Sequence, residues 1–255
     1  MYLLGIKGKR SDFMLRAKDF RQIARDSLKG NWLVAVAAGF IATLLGGNLI
    51  GGSTFSIDIG EEIELSAEQL MREIALSPAI VNLLMGVIGA VAAFLAVYSI
   101  ARMIIGGTVA LGYAKFNLNL VNRNNPKIED VFSQFKNFGK GFIMNFLRGL
   151  FITLWTLLFI IPGVIASYSY AMAPYILYEN PDMTANEAIK ASKELMKGNK
   201  WRLFCLEFSF IGWSILCVFT LGIGYFFLHP YTEAAGAAFY REIKWEKMKQ
   251  QAGME

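Results

Sequence analysis

Long apolar runs recur along the chain, separated by shorter polar stretches. The first two cover residues 32–50 and 79–101, and neither contains a charged side chain. About 20 predominantly apolar residues suffice for a helix to cross the hydrocarbon core of a bilayer. Further apolar stretches follow at 142–161, 164–178, 203–219 and 225–240. The pattern predicts an all-α polytopic membrane protein with about six transmembrane helices.

Turn signals group these helices into three hairpins, at 32–101, 141–178 and 201–240. Pro162-Gly163 and the glycines of 220–224 predict tight turns in the second and third hairpins. The first hairpin has the longest connection, an outer loop at 51–78. Because Pro174 and Pro230 interrupt the two shorter returning legs, we expect those legs to be kinked or partly interfacial.

A polar segment with a helical apolar stripe precedes each hairpin. The segments span residues 12–28, 127–138 and 185–197, and the third opens with a capping box from Thr184 to Glu187. Such a stripe is either a packing face or a surface that lies in the lipid headgroups. Beside a membrane entry the second interpretation is favoured, so we predict three helices along the cytoplasmic membrane surface. The stripes are Phe13, Ala17, Phe20, Ala24, Leu28; Ile128, Val131, Phe132, Phe135, Phe138; and Ala188, Ile189, Ser192, Leu195, Met196.

The same short motif marks two of these membrane entries and indicates an internal repeat. Asn-Pro pairs also open the second and third segments, which end at Gly139 and Gly198, where glycine suits the position after a helix. We interpret the repeat as three units, each an amphipathic helix that leads into a membrane hairpin. The matched interfacial residues are Lys29, Gly30, Asn31 and Trp32 in the first unit and Lys197, Gly198, Asn199 and Trp201 in the third.

Charge predicts the orientation in the membrane. Residues 1–31 carry eight basic and three acidic side chains, whereas the loop 51–78 carries six acidic side chains and one arginine. Basic residues favour the cytoplasmic side, so both termini are predicted inside and the acidic loop outside. The remaining cytoplasmic parts are the connection 102–140, the interfacial helix 179–200 and the tail 241–255. Because the basic residues flank membrane entries, the net charge of +5 does not indicate nucleic-acid binding.

The block at 179–202, with Ile161-Pro-Gly163 and the aromatic stretch 167–175 upstream, resembles an uncharacterised bacterial integral-membrane family. That family is catalogued as domain of unknown function number 975. The resemblance implies a multi-pass protein of a bacterial plasma membrane, and it supplies no catalytic residues. A looser likeness connects the hairpins to the membrane domain of some glycerophosphodiester phosphodiesterases, whose catalytic domain does not occur in this sequence.

Five ionisable residues lie within or beside the predicted spans: Arg102, Arg148, Glu207, His229 and Glu233. At mid-bilayer a charged residue costs about 2.5–3.5 kcal/mol on insertion scales unless it finds water or a partner. They either pair structurally or extend to the cytoplasmic headgroups, or they line a polar groove, open to the cytoplasm, that holds an anionic headgroup or substrate. Arg148 and Glu207 occupy matched positions in the second and third units, which predicts an ion pair, with Arg102 as the substitute partner for the glutamate.

The sequence lacks the features of a catalytic or cofactor site. His229 is the single histidine, no Cys-rich cluster suggests a metal, and no Gly-rich phosphate loop is present. We therefore expect a protein without enzymatic activity or cofactor that binds or moves a lipid or another amphiphile. The alternative is an assembly factor for a partner membrane complex. Expected partners are membrane lipids and either another membrane protein or a second copy of the chain.

Overall fold

The computed structural model describes residues 15–47 and 78–253, and these residues are helical, with no strand among them. Contacts divide the chain into two compact units. Residues 1–51 and 103–255 form the first unit, and residues 52–102 form the second. The predicted outer loop at 51–78 lies outside the described residues except for its last position. The all-α fold class is confirmed.

A sharply bent pair of helices begins the described chain. Helix α1 covers Ala17–Leu28, α2 covers Trp32–Leu44, and their axes meet at 107°. The turn between them needs the left-handed backbone of Gly30, with φ of +82°, which glycine adopts without strain. Helix α2 buries a face of small residues, Ala35, Ala38 and Ala42, and packs against the last helix of the chain.

Helix α3 runs without a break over Pro78–Asn122, well beyond the predicted end at residue 101. Residues 103–122 were predicted as part of a cytoplasmic connection, but they continue the helix and many of their side chains belong to the core of the first unit. A single charge such as Arg102 does not stop a helix. The first effective terminator is the stretch from Arg123 to Pro126, where Arg123 and Asn125 have positive φ.

The second hairpin turns three residues before the predicted Pro162-Gly163. A short α4 (Glu129–Phe132) and a 3-10 turn (Ser133–Asn137) lead into α5 (Phe138–Leu158), and the chain reverses at Phe159 into α6 (Ile160–Tyr170). Pro162 lies in the first turn of α6, where its missing N–H costs nothing. Gly139, predicted to end the preceding helix, instead lies inside α5.

The remaining helices are α7 (Ala173–Glu179), α8 (Ala185–Leu195), α9 (Lys200–Phe208), α10 (Ile211–Phe219) and α11 (Tyr225–Gln251). The capping box of α8 is confirmed, because Glu187 N–H donates to Thr184 Oγ1 and Thr184 N–H donates to Glu187. The turn predicted at 220–224 is also present, with positive φ at Leu221 and Gly222. Pro230 lies inside α11 without ending it.

Four helical stretches in the described part are long and apolar enough to cross a membrane, and there are five if the bent pair α1 and α2 is counted as one broken span. They are 82–122, 129–158, 160–179 and 200–219. Helix α11 is not among them, because its second half is strongly charged. The coarse prediction of several membrane-type helices is confirmed, whereas the arrangement of six spans in three hairpins stays a prediction.

The apolar stripes of α1 and α8 are packing faces. Phe20, Ala24 and Leu28 of α1 are buried, and Phe20 meets Phe239 of α11 edge to face at 5.3 Å. The predicted stripe of α8 is buried in the same way. The expectation that these two stripes face lipid headgroups is therefore wrong, because other helices of the same chain cover them. Residues 12–14 of the first segment lie outside the described part.

Candidate functional site

Helix α11 carries a carboxyl group into the interior of the first unit. Glu233 is completely buried, and it is followed by a run of small residues from Ala234 to Ala238 that allows neighbouring helices to approach closely. Helices α1, α2, α8, α9 and α10 all pack against α11. A buried carboxylate needs charge or hydrogen-bond partners, because its desolvation is costly.

Arg148 supplies positive charge to this carboxylate. It lies on α5, is half-buried, and interacts electrostatically with Glu233 and with Tyr175 of α7. Tyr175 in turn interacts electrostatically with Glu233 and with the tyrosines at 113 and 240. Two of the predicted polar residues, Arg148 and Glu233, thus belong to one buried cluster, which we call the Glu233 cluster.

Helix α3 contributes two polar residues, Tyr113 and Asn117, to the Glu233 cluster, and α11 contributes His229. Tyr113 stacks on the ring of His229 at 5.9 Å and interacts electrostatically with Glu233. Asn117, one turn further along α3, donates a hydrogen bond to the carbonyl of Tyr113. Gly39 of α2 allows this approach, because a Cβ there would lie 3.1 Å from the Tyr113 hydroxyl.

Four side-chain atoms of the cluster are buried without a hydrogen-bond partner of acceptable geometry among the described residues. They are Tyr113 Oη, Asn117 Oδ1, Tyr175 Oη and His229 Nε2. Buried polar groups in folded proteins nearly always have a partner, which is either protein or ordered water. Several such atoms around one buried carboxyl group indicate a place where water or a polar ligand group completes the network.

A chain of contacts connects the cluster to the exposed end of α11. Tyr175 stacks on Tyr240 at 5.0 Å, and the Tyr240 hydroxyl donates to the carboxylate of Glu179. Glu179 also forms an ion pair of 2.5 Å with Lys244, whose side chain is 40% exposed. Polar groups therefore continue from the interior to the surface along this side of α11.

The other two predicted residues lie elsewhere. Glu207 of α9 accepts a hydrogen bond of 2.5 Å from the hydroxyl of Tyr168 on α6, and α6 packs against both α5 and α9. Arg102 belongs to the second unit, where its guanidinium lies 5.6 Å from the centre of the Tyr98 ring. The ion pair between Arg148 and Glu207 stays a prediction, since Arg148 interacts with Glu233 and Glu207 accepts from Tyr168.

The repeated interfacial motif has the same local structure in both places. Gly30 and Gly198 have φ of +82° and +77°. The preceding lysine forms an ion pair with an acidic residue one turn earlier, at 2.7 Å for Lys29 with Asp26 and 2.9 Å for Lys197 with Glu194. Trp32 lies 6.4 Å from Phe227, and the exposed Trp201 stacks on Phe204 at 5.0 Å.

Sequence reasoning missed the three residues Tyr113, Asn117 and Tyr175. The first two lie in the stretch that was predicted as a cytoplasmic connection, where polar residues need no explanation. The useful signal would have been the unbroken apolar spacing around Asn117, which places an amide inside a helix core. Among the described residues, no group of three His, Cys, Asp or Glu side chains could hold a metal ion.

Fold and site together define an all-helical protein with several membrane-type helices and a polar cluster inside its core. Residues 14–166 and 157–247 match the family described as protein of unknown function (DUF975), so the chain belongs to that family. No curated protein and no solved structure matches the chain. The looser likeness to glycerophosphodiester phosphodiesterases has no support from these comparisons.

Proposed function

We propose that this chain is a non-enzymatic membrane protein that binds the polar part of a lipid or another amphiphile at the Glu233 cluster. The observation that carries the proposal is the set of four buried polar atoms without partners around Glu233 and Arg148. Phosphate oxygens of a ligand would accept from the hydroxyls of Tyr113 and Tyr175, and a hydroxyl or amine group of the ligand would donate to Asn117 Oδ1.

The surroundings of Arg148 favour an amphiphile over a small soluble ligand. Phe151, Ile152 and Trp155 lie three, four and seven residues after Arg148, on the same side of α5, and are half-buried or exposed apolar side chains. A molecule whose charged group reaches the guanidinium could lay its hydrocarbon chains along this surface. The half-buried position of Arg148 gives it access to both the cluster and the surface of the helix bundle.

We further propose six spans in a bacterial plasma membrane, with both termini cytoplasmic and the first half of α11 as the sixth span. Exposed aromatic residues at 225–227 and the basic residues from Arg241 onward support this placement of α11. An impermeant thiol reagent on intact cells should label a cysteine introduced at Glu62 and spare one introduced at Lys197. The reverse labelling would contradict this topology.

Hydroxyl removal tests the ligand site without removing charge. Tyr113→Phe and Tyr175→Phe should leave thermal stability in detergent unchanged or higher, because each removes a buried hydroxyl without a partner. Both variants should retain less co-purified lipid by native mass spectrometry and exchange fluorescent lipid between liposome leaflets more slowly. Tyr168→Phe is the matched control, since its hydroxyl is bonded to Glu207 outside the cluster. Unchanged lipid retention in both cluster variants would contradict the proposal.

A second candidate function is an accessory factor for a partner membrane complex. The observation that favours it is the apolar stripe of 128–138, whose side chains Ile128, Phe132, Phe135 and Phe138 are 37–44% exposed. Crosslinking in native membranes followed by purification should then recover one protein in stoichiometric amount. Phe135→Ser should abolish that recovery if the stripe is the docking surface, and recovery that persists would exclude this role for the stripe.

A further inference from the structure

A polar pocket lies at the first interfacial motif, separate from the Glu233 cluster. It has a volume of about 390 Å³, within the size range of small-molecule sites. Two stretches of the first unit line it: the turn between α1 and α2, and the loop that follows α3. The lining residues are Asp26, Ser27, Lys29, Asn31, Arg123, Asn125 and Pro126.

The charge of the pocket suits an anion. Among the described residues that line it, Lys29 and Arg123 contribute two positive charges and Asp26 contributes one carboxylate. Lys29 forms an ion pair of 2.7 Å with Asp26, and its side chain is 70% exposed. A guanidinium presents several N–H groups in a fixed plane, a geometry that matches the oxygens of a phosphate group.

The pocket also holds amide groups with unused hydrogen-bonding capacity. The side chains of Asn31 and Asn125 make no hydrogen bond to any residue that the structure describes. Their NH₂ groups can donate hydrogen bonds to phosphate oxygens. The space beside the turn is open, since a Cβ added at Gly30 would meet no atom within 4 Å.

At the second copy of the motif, which we call the closed motif, the polar side chains bond to one another. There, Asn199 accepts a hydrogen bond of 2.8 Å from Arg202, and Arg202 forms a two-pronged pair with Glu246 at 2.7 and 3.0 Å. The amide and the guanidinium thus satisfy each other and a carboxylate of α11. The first motif has the same glycine turn and the same lysine pair, but Asn31 faces the pocket.

The helix that starts at the pocket indicates the source of the anion. Helix α2 begins at Trp32, and its apolar side chains Leu33, Phe40 and Leu44 are 87, 50 and 49% exposed. Tryptophan and basic residues at the start of an apolar helix are typical of the headgroup level of a membrane. A lipid with its phosphate in the pocket can therefore extend its acyl chains along α2.

We propose that this pocket binds the phosphate of an anionic phospholipid, with Lys29 and Arg123 on the phosphate oxygens and Asn31 and Asn125 as further donors. This site adds to the function proposed above and does not depend on the Glu233 cluster. The Tyr113→Phe and Tyr175→Phe variants concern lipid retention at that cluster, so the two proposals can fail separately.

Photocrosslinking tests the pocket with a defined probe. The full chain is reconstituted into phosphatidylcholine vesicles that contain a minor fraction of phosphatidylglycerol with a photoactivatable acyl chain, and the crosslinked peptides are mapped by mass spectrometry. Label is expected on 32–44. Arg123→Gln and Lys29→Gln should each lower that labelling about fivefold, as expected for one cation beside an anionic headgroup. Lys197→Gln, the matched change at the closed motif, should leave it unchanged.

Three outcomes would overturn the proposal: equal labelling in Arg123→Gln and Lys197→Gln, equal labelling with a photoactivatable phosphatidylcholine, or no labelling of 32–44 in a preparation that binds soluble glycerol phosphate. The last result would assign the pocket to a free phosphate compound. Lys29 and Arg123 are exposed, so the variants should keep the thermal stability of the wild type. Circular dichroism of each preparation checks this.

Discussion

Helix α8 and the segment 128–138 follow the same sequence pattern but use their apolar residues in opposite ways. In α8 the stripe is covered by α5, α6, α7 and α11. In 128–138, Val131 alone of the stripe is buried, and the other four side chains remain exposed. An amphipathic pattern therefore shows that a helix has an apolar face, and only the surrounding helices decide what covers that face.

The physical reason for the difference lies in the opposite face of 128–138. Asp130 forms an ion pair of 2.7 Å with Lys115 and accepts a hydrogen bond of 3.0 Å from Asn119, both on α3. A Cβ on Gly112 would lie only 1.9 Å from the carbonyl oxygen of Val131, so the backbones touch. Polar contacts and one small residue hold the segment against α3, which leaves its aromatic side chains outward.

The largest expected effect is the loss of a buried side chain from α8. Ile189→Ala should lower the free energy of unfolding by about 2–5 kcal/mol, because it leaves a cavity among four packed helices. Denaturant unfolding in detergent micelles, followed by circular dichroism, measures the change. A loss below that range would mean that the stripe of α8 is not a packing face in solution.

A smaller effect is expected at the start of α8. Thr184→Ala removes the side chain that accepts from Glu187 N–H and should cost about 1 kcal/mol. The same unfolding experiment detects it, and Thr184→Ser is the control, since serine keeps the capping oxygen. If both variants lose equal stability, the cap does not contribute as expected.

The same cap predicts a modest pH dependence. The backbone N–H of Thr184 donates to Glu187 and lowers the pKa of that carboxyl group from its ordinary value of 4.5. A lowered pKa gives stability that is complete above the ordinary value and is lost as the pH falls through the folded-state value. The melting temperature of the wild type should therefore fall more below pH 4.5 than that of Glu187→Gln. Parallel curves for the two proteins would contradict this linkage.

The smallest effect on stability is expected in the exposed stripe. Phe135→Ala should change the free energy of unfolding in detergent by less than about 0.5 kcal/mol, as is usual for a surface substitution. A cysteine at 135 with an environment-sensitive fluorophore should report an apolar environment in liposomes and a polar one if the segment projects into water. A loss comparable to that of Ile189→Ala would show that 128–138 is packed, and the contrast with α8 would disappear.

Periodicity and local signals predicted most of the helices. The bend at Gly30, the capping box at Thr184 and the turn at 220–224 all depend on residues whose backbone preferences act over a few positions. The end of α3 was placed too early, because a change from apolar to mixed sequence resembled an exit from the membrane. In fact, that change marks the point where the helix enters the core of the first unit, which depends on partners far away in the sequence.

The ionisable residues of the candidate site could be predicted from the sequence, but its tyrosines could not. Arg148, His229 and Glu233 stood out because ionisable residues are costly in apolar segments. Tyr113 and Tyr175 did not, since tyrosines are common near membrane interfaces. Matching Arg148 with Glu207 by depth did not point to the electrostatic interaction between Arg148 and Glu233, because the rotation of each helix about its axis leaves little trace in its sequence.

The contact between α1 and α11 has a consequence for the order of folding. These helices are far apart in the sequence, and the ring of Phe20 on α1 packs edge to face against the ring of Phe239 on α11. During synthesis, α1 is made well before α11, so the apolar face of α1 stays uncovered until α11 has been made. Premature termination before α11 would leave that face uncovered, so a truncated chain should be recognised by membrane proteases through its first described helix.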